Sequence, residues 1–506
     1  MALLAKTSNR VDRIMVVRTK LTNNKTSSKE LQMEVINMKR IVNTLSVAIT
    51  LLISSACGQA SDKSLTQDQI VGIATQAYVF GYPLVLMDYT KRALTNVAEP
   101  TTYGFAPINQ VSHYRSFPDH NFTAVVKPNV DTYYSSMWYD LLAEPMVLSV
   151  PETDRYYLLP LLDAFSNVFA SPGPRTTGTK AQDFLIAGPN YQGDTPEGMT
   201  LLQSPTNTVW MIGRTKVLNA EDGATVVRNI QDGYKIVPLS SFGKEYNPPK
   251  GVVSEEAKTI IPAQDTENLL IDEFFNLMAE LMVDNPAAPA DAEIVKSMAS
   301  IGIVPGKKFD IKSLDKQLQE KLKAIPSEVH KKFEETRSVG DPNILINGWQ
   351  VYTEGIGSYG TNYGLRAYVA YVGLGANLNK DATYPVIATD QNGDQFMSEN
   401  NYTLHFEEEE IPPVNGFWSL TLYDKRDFLA ESAINRYALG DRDELVYNSD
   451  GSLDIYIQQS SPGANKEANW LPTPLEGKFN LTLRLYWPKE AVLNRIWNVP
   501  PVVKVE

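Results

Sequence analysis

The sequence predicts a mainly β protein of the α+β class, with two antiparallel β-sandwich domains joined by a helical segment. Three observations predict it. Short runs rich in β-branched and aromatic residues, punctuated by Gly, Pro, Asn and Asp, continue to about Pro249 and return from Thr383 to Val503, the spacing of all-β sandwiches. Between them the apolar residues change to three-and-four spacing, the mark of amphipathic helices. The length of 506 residues allows two or three domains with sizeable cores.

Residues 1–37 read as an extension upstream of the natural start, Met38. From there "MKRIVNTLSVAITLLISSACGQAS" has a basic beginning, an apolar run from Ile41 to Ile53 and then small residues, so 38–60 reads as a signal peptide. The run is shorter than the ~20 apolar residues that a spanning helix needs. The single cysteine, Cys57, closes the segment where a lipoprotein would be acylated after cleavage. Ser54 stands where the usual leucine would, so cleavage after Ala56 or Ala60 without lipid is the alternative. Either route places the body outside the cytoplasm, in periplasm, envelope or medium, with no second cysteine for a disulfide.

The first sandwich is expected over 66–250. It opens with a helical stretch, "TQDQIVGIATQAYVFGYPLVLMDYTKRAL", which should break at Gly81 and Pro83. Strands follow at "RYYLLPLLDAF", "DFLIAG" and "TVWMIGRTKVL". The connecting region, 251–378, holds "TENLLIDEFFNLMAELMVDN", whose acidic first turn suits a helix N-terminus, and then "DAEIVKSMASIGI", "LDKQLQEKLKAI" and "GLRAYVAYVGLGAN". The second sandwich, 379–506, contains "GFWSLTLYD", "SLDIYIQQ" and "FNLTLRLYWP".

Charge excludes one class of partner. Residues 1–40 carry nine Lys/Arg against three Asp/Glu, or +6, so with −13 for the whole chain the part from Cys57 onward carries −19. A body that acidic repels phosphate backbones, so no nucleic-acid partner is expected. Membrane association is expected only through a lipid on Cys57. A small-molecule or glycan ligand is the expected partner, and self-association is left open.

Two motifs have bland explanations. "GIGSYG" (Gly355, Gly357, Gly360) matches a dinucleotide fingerprint, but no βαβ unit surrounds it. The glycines are better read as opening a helix and letting Tyr359 and Tyr363 pack closely. Ser241 and Lys244 form a Ser-x-x-Lys pattern without its partner motifs. The four histidines are scattered and no His-Glu-x-x-His or cysteine cluster exists, so neither metal nor cofactor is expected.

The chemistry-bearing stretch is "VKPNVDTYYSSMWYDLL", Val126 to Leu142. Read as a strand, it puts Asp131, Tyr133, Ser135, Met137 and Tyr139 on one face and Thr132, Tyr134, Ser136 and Trp138 on the other. Its Asp131 is costly to bury unpaired. "LLDAFSNVFASPGPRT" repeats the pattern with Asp163, Ser166 and Asn167, where turn satisfaction competes with a site. Asp131 and Asp163 are the candidate acid/base pair of a hydrolase acting on a glycan, amide or ester. Tyr134, Trp138 and Asn167 would line the cleft, closed by Tyr363 and Arg366. Since a regular strand puts Asp131 on the face opposite Tyr134 and Trp138, this needs a bulge or strand end near Asn129. The non-catalytic alternative is a binding or envelope protein whose aromatic cleft, with Trp418 and Trp470, takes a sugar or small apolar ligand.

"PNVDTYYSSMWYDL" with "RYYLLPLLDAFSNVFASPGPRTTG" resembles the bacterial domain of unknown function 1254. "GFWSLTLYD", "NRYALGDRDEL", "DGSLDIYIQ", "NWLPTP" and "FNLTLRLYWP" resemble its C-terminal companion, domain of unknown function 1214. The resemblance implies two jelly-roll-like sandwiches joined by helices and brings no mechanism with it.

A chain begun at Met38 should be exported and shortened by cleavage near Cys57. Mass spectrometry of the mature protein with and without Cys57→Ser checks the anchor. An unchanged mass and unchanged membrane association would rule out lipidation.

Overall fold

The computed structural model describes residues 65–123, 126–339 and 344–505. The basic start, the apolar run and Cys57 lie outside the described residues. The first sandwich has ten strands: β1 (Val111–His113), β2 (Thr132–Asp140), β3 (Met146–Val150), β4 (Tyr157–Leu158), β5 (Leu161–Asp163), β6 (Val168–Ala170), β7 (Gln182–Ala187), β8 (Met199–Gln203), β9 (Thr208–Lys216) and β10 (Lys235–Pro238). One sheet runs β1-β2-β9-β5-β6 with β4 also on β9, and the other runs β10-β3-β7-β8. Met137, Tyr139 and Met211 of the first sheet meet Leu148, Phe184 and Ile186 of the second in one core.

The outer face of the first sheet is covered too. Tyr134, Trp138 and Ile212 pack with Met87 and Leu94, which belong to helix α1 (Gln67–Leu94). This accounts for the mixed character of β2. Its alternation separates two buried faces, one against a sheet and one against a helix.

The second sandwich comprises β11 (Leu345–Ile346), β12 (Trp349–Gln350), β13 (Ala382–Thr383), β14 (Val386–Ile387), β15 (Asn401–Phe406), β16 (Val414–Asp424), β17 (Ala438–Gly440), β18 (Leu453–Gln458), β19 (Trp470–Pro472), β20 (Phe479–Pro488) and β21 (Val502–Val505). Its sheets run β11-β12-β14-β20-β16-β17, with β13 on β20, and β19-β18-β15-β21. Leu420, Leu422, Leu481 and Leu483 face Leu404, Phe406 and Ile455 across the core. The purely antiparallel pairing expected from the sequence needs one correction. β7–β8 and β18–β19 pair in parallel, each after a connection long enough to carry the chain back across the sheet.

Helix α1 differs from expectation in two ways. It runs unbroken for 28 residues through Pro83, and it packs with the helical layer rather than as part of a sandwich. That layer contains α2 (Pro262–Asn268), α3 (Ile271–Asp284), α4 (Ala292–Ser300), α5 (Lys316–Val339) and α6 (Tyr363–Gly373). All five contact α1. A reciprocal cap starts it: Thr66 Oγ1 accepts from the Gln69 N–H and Gln69 Oε1 accepts from the Thr66 N–H. An internal proline costs about 3 kcal/mol. Tyr78, Phe80, Tyr82, Leu84 and Val85 are fully or almost fully buried around it, each contributing roughly 1.5–3 kcal/mol, so packing outweighs the break. By length and composition α1 could cross a bilayer, but it is apolar all round because other helices sheathe it.

The glycine motif has a structural task. Gly357 has φ +78°, and a Cβ there would lie 2.6 Å from the Asn377 carbonyl oxygen. Its own carbonyl accepts from the Val168 N–H at 2.7 Å, tying this loop to the first sandwich. Gly357→Ala should therefore destabilise the protein by about 1–3 kcal/mol, read as a lower urea midpoint with an unchanged slope.

Candidate functional site

The two candidate aspartates lie at opposite ends of one strand. Asp163 pairs with Val209 at the beginning of β9, while the Asp131 carbonyl accepts from the Val217 N–H just past its end. Eight residues of strand separate them by about 26 Å. They cannot act on one bond.

Asp131 immediately precedes β2 and is fully buried. Its carboxylate meets the Arg442 guanidinium at 3.0 Å and accepts from the Ser419 hydroxyl at 2.6 Å, both from the second sandwich. The strand end required near Asn129 is present. Asn129 Oδ1 accepts from the N–H groups of Asp131 and Thr132, turning the chain just before the ladder begins. Asp131 is an interdomain anchor.

Asp163 ends β5 and organises the turn to β6. Its Oδ1 accepts from the N–H groups of Phe165 and Asn167, both at 2.9 Å, and the Asn167 amide donates to its other oxygen at 3.1 Å. Between them Ser166 takes φ +67°. Four of the expected site residues do gather here. Asn167 Oδ1 accepts from the Tyr359 N–H, and Arg366 lies over the rings of Phe80, Phe165 and Tyr363 at 5.1–5.2 Å. The Tyr363 hydroxyl donates to Asp291 at 2.9 Å. Burial pushes the Asp163 carboxyl up to about 6, against the lowering effect of Asn167 and Arg366. With Asp163, Asp291 and Arg366 all buried, this is a closed clamp between the first sandwich and the helices.

The remaining aromatics also part company. Trp138 stacks on Trp210 at 4.8 Å beneath α1. Trp418 belongs to the second core, and the Trp470 indole donates to the Gln458 carbonyl. Among the described residues Tyr134, unlike these three, lines open space.

That space is a cavity of about 500 Å³ lined by Tyr114, Phe117, Lys127, Asn129, Thr132 and Tyr134 among others, within the size range of small-molecule sites. A hollow of about 620 Å³ at Pro151, Asp154 and Asn229 has no aromatic lining. In the smaller cavity aromatic walls surround polar groups that are not fully used. Thr132 is almost fully buried, and its Oγ1 has no hydrogen-bond partner among the described residues. Tyr114 and Tyr134 meet edge-on at 6.1 Å. The one aspartate on the lining, Asp119, sits on the surface, its carboxyl held below the usual range by the Asn121 N–H. Sequence reasoning reached Tyr134 and the turn at Asn129 but missed Tyr114, Phe117 and Thr132. The available signal was the Lys127-Pro128-Asn129 turn, since a polar turn feeding directly into a buried strand needs outside partners.

Residues 108–238 match the family model described as "Protein of unknown function (DUF1254)", and residues 381–490 match "Protein of unknown function (DUF1214)". The chain thus carries a DUF1254 match followed by a DUF1214 match. The DUF1254 match spans the first sandwich and most of the cavity lining, and the DUF1214 match spans most of the second sandwich. The VPA0106 protein from Vibrio parahaemolyticus, known from a crystal structure, is similar at 25% identity with a TM-score of 0.64, over 86% of this chain and 100% of its own. An uncharacterized protein from Burkholderia cenocepacia aligns over 86% of this chain and 95% of its own at 11% identity and a TM-score of 0.41, too low to carry an argument. No curated protein matches the chain.

The Asp163 environment predicts a pH dependence with a definite sign. Its folded pKa of about 6 lies above the ordinary 3.8, so its contribution is fully present below pH 3.8 and is lost as pH rises through about 6. Asp163→Asn retains an oxygen for both backbone N–H groups and cannot ionise. Relative to the wild type, the variant should therefore be favoured at pH 7, by about 2–3 kcal/mol more than at pH 4. Urea unfolding at the two pH values checks this.

Proposed function

We propose that this is an extracytoplasmic binding protein that holds a small amphipathic molecule, a sugar or a compact aromatic, in the cavity of the DUF1254 domain. One observation carries the reading: an aromatic-walled cavity of about 500 Å³ whose lining includes Thr132, a nearly buried residue with an unpartnered hydroxyl. A hydroxyl taken from water without a partner costs about 1–3 kcal/mol, and a ligand atom would restore the bond. Aromatic walls suit a sugar face or a ring, and fixed polar groups at the bottom would set its orientation.

Support for binding rather than turnover comes from the fate of the acidic pair. Asp131 is spent on Arg442 and Ser419, Asp163 on its own turn, and neither lines the cavity. The export reading rests on the basic and apolar segments from Met38 to Ile53. A lipid on Cys57 would keep the protein at the envelope surface, and simple cleavage would release it.

Thermal-shift screening of the mature protein against sugars, aromatic acids and their neutral relatives should yield hits. Each hit should weaken about 3–10-fold in Tyr134→Phe, the value of one hydrogen bond of ~1 kcal/mol, by isothermal titration calorimetry. Hits that are indifferent to Tyr134→Phe and to Tyr114→Leu would place binding elsewhere.

A further inference from the structure

The cavity floor backs onto a buried region with more cations than carboxylates. Lys127 lies 3.0 Å from Asp427, and Arg442 lies 3.0 Å from Asp131. Two further guanidiniums, Arg214 and Arg484, are almost fully buried and have no carboxylate within ion-pair distance among the described residues. Arg214 donates to the Ile212 carbonyl at 2.8 Å and to Asn377 Oδ1 at 2.9 Å, its Nε is buried without a partner, and its charge lies 4.9 Å from the centre of the Tyr134 ring. Arg484 donates to Thr421, to the Lys127 carbonyl and to the Tyr423 hydroxyl. Four cations thus share two carboxylates, and an arginine does not escape by losing its proton.

The phenols between these arginines have donors to spare. Asn129 Oδ1 is committed to two backbone N–H groups, so its amide nitrogen must donate to the Tyr486 oxygen, at 2.6 Å. Asn377 Oδ1 is committed to Arg214, so its amide nitrogen must donate to the Tyr384 oxygen, also at 2.6 Å. Each phenol oxygen is therefore an acceptor, and neither phenol has an acceptor for its own proton among the described residues. Burial raises both phenol pKa values, so both protons stay in place. With Thr132 and Tyr134 at the cavity surface, the region offers unspent O–H donors in front of uncompensated positive charge.

We propose, resting on the binding reading above, that the ligand of this cavity is an anion: a ring-bearing monocarboxylate whose carboxylate accepts from Thr132 and Tyr134 in the field of Arg214 and Arg484. Charge-assisted hydrogen bonds are about twice as strong as neutral ones, and a low-dielectric floor strengthens them further. The rest of the protein limits the charge. From Cys57 onward it carries −19, and such a surface repels polyanions such as nucleotides, whereas a single carboxylate on an apolar ring meets aromatic walls and a cationic floor together.

The test uses matched pairs on the mature protein, 2-naphthoate with 2-naphthamide and glucuronate with glucose, measured by calorimetry. The acid of at least one pair should bind ten-fold or more tightly than its neutral partner. Thr132→Val, which removes only the unpartnered oxygen, should weaken that acid 3–10-fold without lowering the melting temperature. Acid and amide binding equally would overturn the anion inference and leave the cavity reading standing. Failure of all four probes overturns the inference as well, and the wider screen then decides the cavity reading separately. A second arm needs no ligand. Absorbance at 295 nm between pH 6 and 9 should show no phenolate assignable to Tyr384 or Tyr486. A phenolate present at pH 7 and abolished by Tyr384→Phe or Tyr486→Phe would mean that the arginines are neutralised from within, and the proposal would fail.

Discussion

The five residues from Lys127 to Asp131 form a strap between the two sandwiches, and each is held by the second domain. The Lys127 ammonium reaches Asn480 and Asp427, and the Pro128 carbonyl accepts from the Tyr423 hydroxyl. Asn129 donates to Tyr486, the Val130 carbonyl accepts from Arg442, and Asp131 takes both Arg442 and Ser419. These groups are largely buried, so each must find a partner there. Removing one member of the Asp131–Arg442 pair would leave a buried charge uncompensated, a loss of about 3–5 kcal/mol in such settings. The strap therefore fixes where β2 begins, and β2 in turn fixes β9 through nine register pairs.

From that starting point the cavity follows. Because the strap is anchored by the second domain, Asn129 and Thr132 are fixed on the cavity lining, at the head of a strand whose outer face is already covered by helix α1. The aromatic loop bearing Tyr114 and Phe117 then roofs a space whose floor cannot rearrange without undocking the domains. Preorganised polar groups of this kind suit selective binding, since little ordering remains to be done when the ligand arrives.

Buried charge is handled in two contrasting ways in the molecule. At the clamp, Asp163 and Asp291 balance Arg366, three aromatic rings cover the guanidinium, and the space is closed. At the strap, arginines and tyrosines crowd two carboxylates and the space is open. The first pattern is what structural anchoring requires, because a closed charge must be compensated by its own neighbours. The second leaves potential and donors facing a cavity, which is where a ligand's charge would lower the energy.

The sequence by itself determined the β–helix–β order, the two-domain pairing and the face split of β2. These depend on local periodicity, and local periodicity is written in neighbouring residues. It also marked Asp131 and Asp163 as polar groups in need of partners, and it foresaw the strand end at Asn129. Tertiary structure alone decided what those needs meant. Arg442 is more than 300 positions from Asp131, and nothing local announces that it will meet that carboxylate. Likewise Pro83 signalled a break that five packed helices override, and the parallel pairs β7–β8 and β18–β19 follow from how the chain crosses its sheets. The cavity belongs to the same category. Thr132 is an ordinary strand residue until Arg442 and Arg484, more than three hundred residues later, supply charge to the region behind it.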